Sequence, residues 1–222
     1  MSFDKVNPKF HPNGEPKPFY GSTIISFVQP DSPFWHALDK IQNELKNLDT
    51  SKKMVFAPPD SFHMTIIGLD HFRTWNKNKI EASDQHYISA LKKVDFFKSV
   101  QVKAKPTIAV SKMGFAIRLE VVPVSVKDQS MIIQLQNDAM KAAGRKLTTH
   151  HMHITLANKI EELTANDLLQ INLLDEKISK IFGENDTWNS TQPILTFYKD
   201  MNAFHTEENR DKVRNPDLFQ WK

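Results

Sequence analysis

The 222-residue chain contains no cysteine. This excludes disulfide staples, thiolate metal sites and a cysteine nucleophile, and it suits a reducing, cytoplasmic setting. Long hydrophobic runs are missing too: Ser22–Val28 and Phe115–Val126 are too short or too interrupted to span a bilayer. The opening MSFDKVNPKF lacks the charged-then-apolar pattern of a secretory signal. Charge of one sign is not in excess, since 29 Lys and Arg face 26 Asp and Glu for a net +3. That surplus is too small for a duplex-DNA binder and compatible with a small phosphorylated substrate. The expectation is a monomer in the cytoplasm that binds neither duplex DNA nor membrane.

What is present is ordinary for a globular chain, 40% hydrophobic and 25% charged, which argues against disorder, a coiled coil or a collagen-like repeat. Residues 1–19 are polar and proline-rich, which reads as an arm laid on the surface or left loose. Tyr20–Val28 is β-branched and aromatic, a strand. Ser32-Pro33 then supplies a cap and a first-turn proline for a helix through Phe34, Leu38, Ile41, Leu45 and Leu48. A strand at Phe62–Leu69, a helix over Ser83–Phe97 and extended pieces at Val100–Ala104 and Thr107–Val110 complete a first pass. A second pass repeats the order: strand Gly114–Pro123, helix Val126–Ala143 closing at Gly144, strand Met152–Ala157, helix Thr164–Phe182 closing at Gly183, strand Pro193–Phe204. Each pass is roughly 90 residues, longer than a solenoid repeat, which favours duplication of one α+β lobe. The division is an arm (1–19), one bilobal domain (20–204, lobes about 20–110 and 111–204) and a tail (205–222). Two such lobes leave a cleft between them.

The middle strand of each pass carries the same hexamer. Phe62-His63-Met64-Thr65-Ile66-Ile67 and Met152-His153-Ile154-Thr155-Leu156-Ala157 both read apolar–His–apolar–Thr–apolar–apolar. Strand alternation puts His63 with Thr65, and His153 with Thr155, on one face and the apolar residues on the other. About one His-x-Ser/Thr is expected by chance in such a chain, so a single match is weak. Two, framed alike at matching places, are not. An imidazole titrates near neutrality, so one of a pair can take a proton while the other gives one. Flanking hydroxyls can donate to the oxygens of an anion.

Paired His-x-Thr motifs in a duplicated α+β chain resemble the 2H phosphoesterase superfamily, the LigT-like RNA ligase and cyclic-phosphodiesterase fold. The run Pro18–Ile25, with Ser61–Thr65 and Arg73-x-Trp75, resembles most a poorly characterised bacterial and fungal branch. The resemblance implies two antiparallel sheets flanking a central cleft with helices outside, and catalysis by His63, Thr65, His153 and Thr155 without metal or other cofactor. It implies hydrolysis of a cyclic phosphodiester on a 2′,3′-cyclic nucleotide, an RNA end or a related small molecule.

Other contacts are candidates for the same cleft. Tyr20, Tyr198 and Phe197 lie on flanking strands and can stack on a base, while Arg73 and Trp75 follow the first motif as a cation and a stacking plane. Arg118 alternates with the apolar face of its strand, and Lys159 follows the second motif. Two other classes stay open. One is a zinc-dependent hydrolase built on His151 and His153, which share a strand face. The other is a non-catalytic module that binds nucleotides or RNA ends.

Overall fold

Ser32 starts the first helix as its sequence predicts. Its hydroxyl accepts from the Trp35 amide at 3.2 Å, Pro33 fills the first turn, and α1 runs Pro33–Lys46. Phe34, Leu38, Ile41 and Leu45 are buried along one stripe, with Gln42 on the same face. The computed structural model describes residues 7–111, 114–146 and 152–214. The strands are β1 (Tyr20–Phe27), β2 (Met54–Phe56), β3 (His63–Phe72), β4 (Gln101–Val110), β5 (Ala116–Pro123), β6 (His153–Lys159), β7 (Thr187–Asn189) and β8 (Ile194–Tyr198). The helices after α1 are α2 (Lys77–Leu91), α3 (Val126–Ala142), α4 (Ala165–Asn172), α5 (Asp175–Phe182) and α6 (Asp211–Arg214). Among the described residues no helix is long and apolar enough to cross a membrane.

The architecture is α+β, as expected, with a difference in how the strands join. They form one antiparallel path, β7-β4-β5-β6-β3-β1-β8, with β2 beside β6. The expected two sheets meet where β3 touches β6, and Met64 opposite Ile154 is the register pair there. That contact covers strand edges that two separate sheets would leave open. The closing strands also cross over. β4 pairs with β5, while β8 pairs with β1, so each half of the chain completes the sheet of the other.

The apolar residues of both hexamers face the helices. Met64, Ile66, Ile154 and Leu156 are fully buried in one cluster with Leu38 and Ile41 of α1 and Ile132 and Leu135 of α3. Each motif strand breaks its alternation at the same place. On β3 the register steps from Thr65 to Ile67 across adjacent residues of β1, leaving Ile66 as an extra residue. On β6 it steps from Thr155 to Ala157 across adjacent residues of β5, leaving Leu156. These β-bulges lie in the doubled apolar pair that ends each hexamer. A buried glutamine holds each bulge from the opposite half. Gln42 of α1 donates to the Leu156 carbonyl at 3.0 Å and to that of Ala57 at 2.7 Å, and Gln136 of α3 donates to the Ile66 carbonyl at 3.0 Å.

Several boundaries differ from expectation. The second helix begins at Lys77, not Ser83, because the Asn76 side chain caps it by accepting from the Lys79 amide. It ends at Leu91, and Val94, Phe96 and Phe97 pack from the following loop. The two pieces expected at 100–110 are one strand, irregular between Ala104 and Ile108, where Pro106 offers no amide to a ladder. The expected helix 164–182 is two, broken at Leu173–Leu174, and the Asp175 carboxylate accepts from the Ile108 amide of β4. The last strand stops at Tyr198, after which a turn brings His205 back to bridge Phe197. The three-residue strands β2 and β7 carry too little pattern to be read from sequence.

Candidate active site

His63 and Thr65 from β3, and His153 and Thr155 from β6, line one cleft of about 180 Å³. After the two bulges the alternation resumes with Gly68 on β3 and Asn158 on β6, and both also line it. Thr23 of β1 and Tyr198 of β8 add to one wall. The Thr23 hydroxyl is committed to the Ile67 carbonyl at 2.8 Å. The hydroxyls of Thr65 and Thr155 have no hydrogen-bond partner among the described residues, so both are available to a ligand.

The environment of His63 fixes its state. The 3₁₀ turn Pro59–Ser61 directs the Ser61 carbonyl at His63 Nδ1, 2.6 Å away. A carbonyl only accepts, so Nδ1 carries the proton and Nε2 holds the lone pair. The ring packs against Phe204, with centroids 4.4 Å apart, and takes Phe27 edge-on at 6.3 Å. Burial pulls its pKa down to about 4, the Ser61 bond opposes the fall, and positive charge on His153 and Lys9 adds to it. His63 is therefore neutral at physiological pH. His153 opens β6 opposite Glu120 of β5.

The roof comes from the two ends of the chain. Lys9 and Phe19 enter from the N-terminal arm, and Met201 and Phe204 from the turn after β8. From residue 7 the arm is laid against the body of the molecule, the first of the two alternatives expected for it. Phe10 and Phe19 are buried, Phe10 bridges Pro16, and the Phe19 amide donates to the Lys199 carbonyl at 2.7 Å. Stacking links His71, Phe19 and Tyr198, and Phe204 packs edge-on to Tyr198. Burial pushes the Tyr198 phenol well above its usual range, so it stays a neutral hydroxyl. Gly21 leaves room for that hydroxyl, because a Cβ there would fall on it and lie 2.5 Å from the Asp70 carbonyl oxygen.

Of the expected substrate-binding residues, Tyr198 reaches the cleft. Tyr20, Arg73 and Trp75 do not line it. Tyr20 pairs with Phe72 and packs on Trp75, with centroids 5.0 Å apart, and Arg73 is exposed beside them. Ten residues of extended chain put this group roughly 30 Å along β3 from His63, so closeness in sequence did not bring it to the motif. Phe197 is fully buried beside Ile88 and Val213. Lys159 is buried and donates to the Ser111 carbonyl at 2.9 Å. Arg118 stands opposite Thr155, and its Nε is buried without a partner among the described residues. His151 of the zinc alternative lies outside the described residues, among which no cluster of three metal-ligating side chains occurs. Lys9, Phe19, Asn158, Met201 and Phe204 were not anticipated. The doubled apolar pair that marks each bulge is the signal that could have found Asn158.

Residues 9–80 match the family 2H-phosphodiest, described as a domain of unknown function (DUF1868). No curated protein matches the chain in sequence. In fold it is similar to the conserved protein of unknown function ATU0111 from Agrobacterium tumefaciens, at TM-score 0.71 and 17% identity over 89% of this chain and 88% of that one. It is also similar to E. coli LigT in apo form (TM-score 0.50, 12% identity, 85% and 99% covered). Usb1 of Kluyveromyces marxianus shares the fold to the same degree (TM-score 0.50, 11% identity, 84% and 96% covered). The family match covers residues 9–80, and over most of its length the chain shares the fold of these structures.

Proposed function

We propose that this protein is a phosphodiesterase that opens a cyclic phosphodiester, on a 2′,3′-cyclic nucleotide or a related small molecule, by two-histidine acid–base catalysis. The observation that carries the reading is His63, held neutral with its lone pair on Nε2, sharing a cleft with His153 and two unengaged threonine hydroxyls. In this mechanism His63 Nε2 takes a proton from water as the water oxygen bonds to phosphorus. The bond from phosphorus to one ribose oxygen breaks, and protonated His153 gives that oxygen its proton. Thr65 and Thr155 donate to the non-bridging oxygens, where charge gathers in the transition state. Acid, base and hydrogen-bond donors all come from side chains, so the reaction as written draws on no metal. A cleft of about 180 Å³ is small beside the roughly 300–1,000 Å³ of typical ligand pockets. That size supports enclosure of a phosphate and its sugar ring, with any base or RNA chain outside.

The test is turnover of the four 2′,3′-cyclic nucleotides by chelator-treated protein, followed by phosphorus NMR. His63→Ala and His153→Ala are each expected to lose at least ~10²-fold in turnover. The double variant should be little worse than either single, because the pair acts as a unit. Activity that returns only on adding zinc, or that survives either substitution, would sink the mechanism.

A further inference from the structure

Lys9 is the one Lys, Arg, Asp or Glu among the described residues that line the cleft. Its ammonium has no hydrogen-bond or ion-pair partner among the described residues. It lies 5.5 Å from the centroid of the Phe19 ring, and burial pulls its pKa below the ordinary lysine value. A desolvated cation without a counter-charge is costly to the fold unless something compensates it. Nor is its position an accident of a loose end. The Asn7 side chain donates to the Lys159 carbonyl at 2.6 Å and accepts from the amides of Lys9 and Phe10 at 2.8 and 3.2 Å. The Lys9 carbonyl in turn accepts from the Lys17 amide at 2.8 Å. The arm is thus fastened at the residue after Asn158, and Asn158 is a second unspent group at that end. It is only 6% exposed, lines the cleft and makes no side-chain hydrogen bond among the described residues.

We propose that Lys9, carried into the cleft by the N-terminal arm, is a substrate-binding cation that grips the phosphate oxygens together with the Asn158 amide. The inference rests on the phosphodiesterase reading of this cleft and adds an anion-binding end to it. Lysine suits the role as a compact point charge, and the carboxamide adds a directional N–H donor. Among the described residues that line the cleft there is no carboxylate to repel an anion. The ligand class is a small phosphate ester, held at the β6 end of the cleft.

The experiment measures inorganic phosphate binding to the full-length protein by calorimetry, beside cyclic-nucleotide kinetics. Lys9→Met is expected to weaken phosphate binding and raise KM at least ~10-fold, with kcat changed much less, and Lys9→Arg to restore most of the loss. Asn158→Asp, which sets a carboxylate in the same cleft, is expected to weaken phosphate at least as much. Melting temperatures of the variants separate binding from folding, and the Arg variant carries the test should the Met variant unfold. Phosphate affinity within twofold of wild type in Lys9→Met, while His63→Ala still abolishes turnover, overturns this inference alone. Failure of the wild-type protein to bind phosphate while it turns over cyclic nucleotides likewise overturns this inference alone. No turnover of any cyclic nucleotide overturns it together with the phosphodiesterase reading.

Discussion

At the scale of single residues, the two histidines of the repeated motif are distinguished by what surrounds them. The Ser61 carbonyl fixes the His63 tautomer, and burial under Phe204 lowers its pKa to about 4. A base with a lowered pKa keeps its lone pair until the pH falls through that value. The kcat/KM profile on a cyclic nucleotide is therefore expected to show an acid limb near pH 4, where a solvated histidine would give one near 6.5. A midpoint between pH 6 and 7 would show that His63 is not the neutral base. Linkage gives a second sign for the same group. The unfolded chain binds this proton near pH 6.5 and the folded chain near 4, so stability falls as pH drops through that window. The identity of the four motif residues was legible because strand alternation and repetition are sequence properties. The state of His63 was not, because it depends on Phe204, which is 141 positions away in the chain (204 minus 63).

At the scale of elements, the two bulges and their glutamines decide which side chains enter the cleft. Removing the Gln136 or Gln42 side-chain donor leaves a buried carbonyl with one bond fewer. Gln136→Leu and Gln42→Leu are each expected to cost about 1–3 kcal/mol, read as a lower urea midpoint with unchanged slope. Gln136→Leu should also reduce turnover, since the bulge it supports directly follows Thr65. Wild-type stability in both variants would show that the bulges need no such support. Helix α1 was legible because its cap, proline and apolar stripe agree with one another. The break between α4 and α5 was not, because the apolar pattern continues through Leu173 and Leu174 and the Asp175 contact comes from β4. Likewise the early start of α2 rests on one capping asparagine ahead of a polar first turn.

At the scale of the whole molecule, segments far apart in the chain meet at the cleft, and the tail is fastened to the elements beside it. Arg214 of α6 is buried and forks onto the Asp84 carboxylate of α2, at 2.7 and 3.0 Å. It also donates to the Tyr198 carbonyl of β8 and the Gly21 carbonyl of β1. One side chain thus joins the tail to three elements near the cleft wall. Arg214→Met would leave the Asp84 charge buried and two carbonyls without a donor, at an expected cost of about 3–5 kcal/mol. Thermal and urea unfolding check this, and a change below about 1 kcal/mol would show that the tail is not a fastening. Sequence gave no sign of the clamp, since a lone arginine in a charged tail reads as solvated.

The crossing of β4 and β8 between halves has a consequence for how such a chain can arise. A half ending in a strand it cannot use itself exposes an open edge and carries the element that would cover another's. Two copies would complete each other as a strand-exchanged dimer, with identical histidine motifs across a two-fold axis. Fusing them in one polypeptide makes the exchange intramolecular, at an effective concentration on the order of millimolar. Fusion also removes the requirement that the two sites be identical. One imidazole can then be buried to neutrality while its counterpart is adjusted independently, which no symmetric dimer allows.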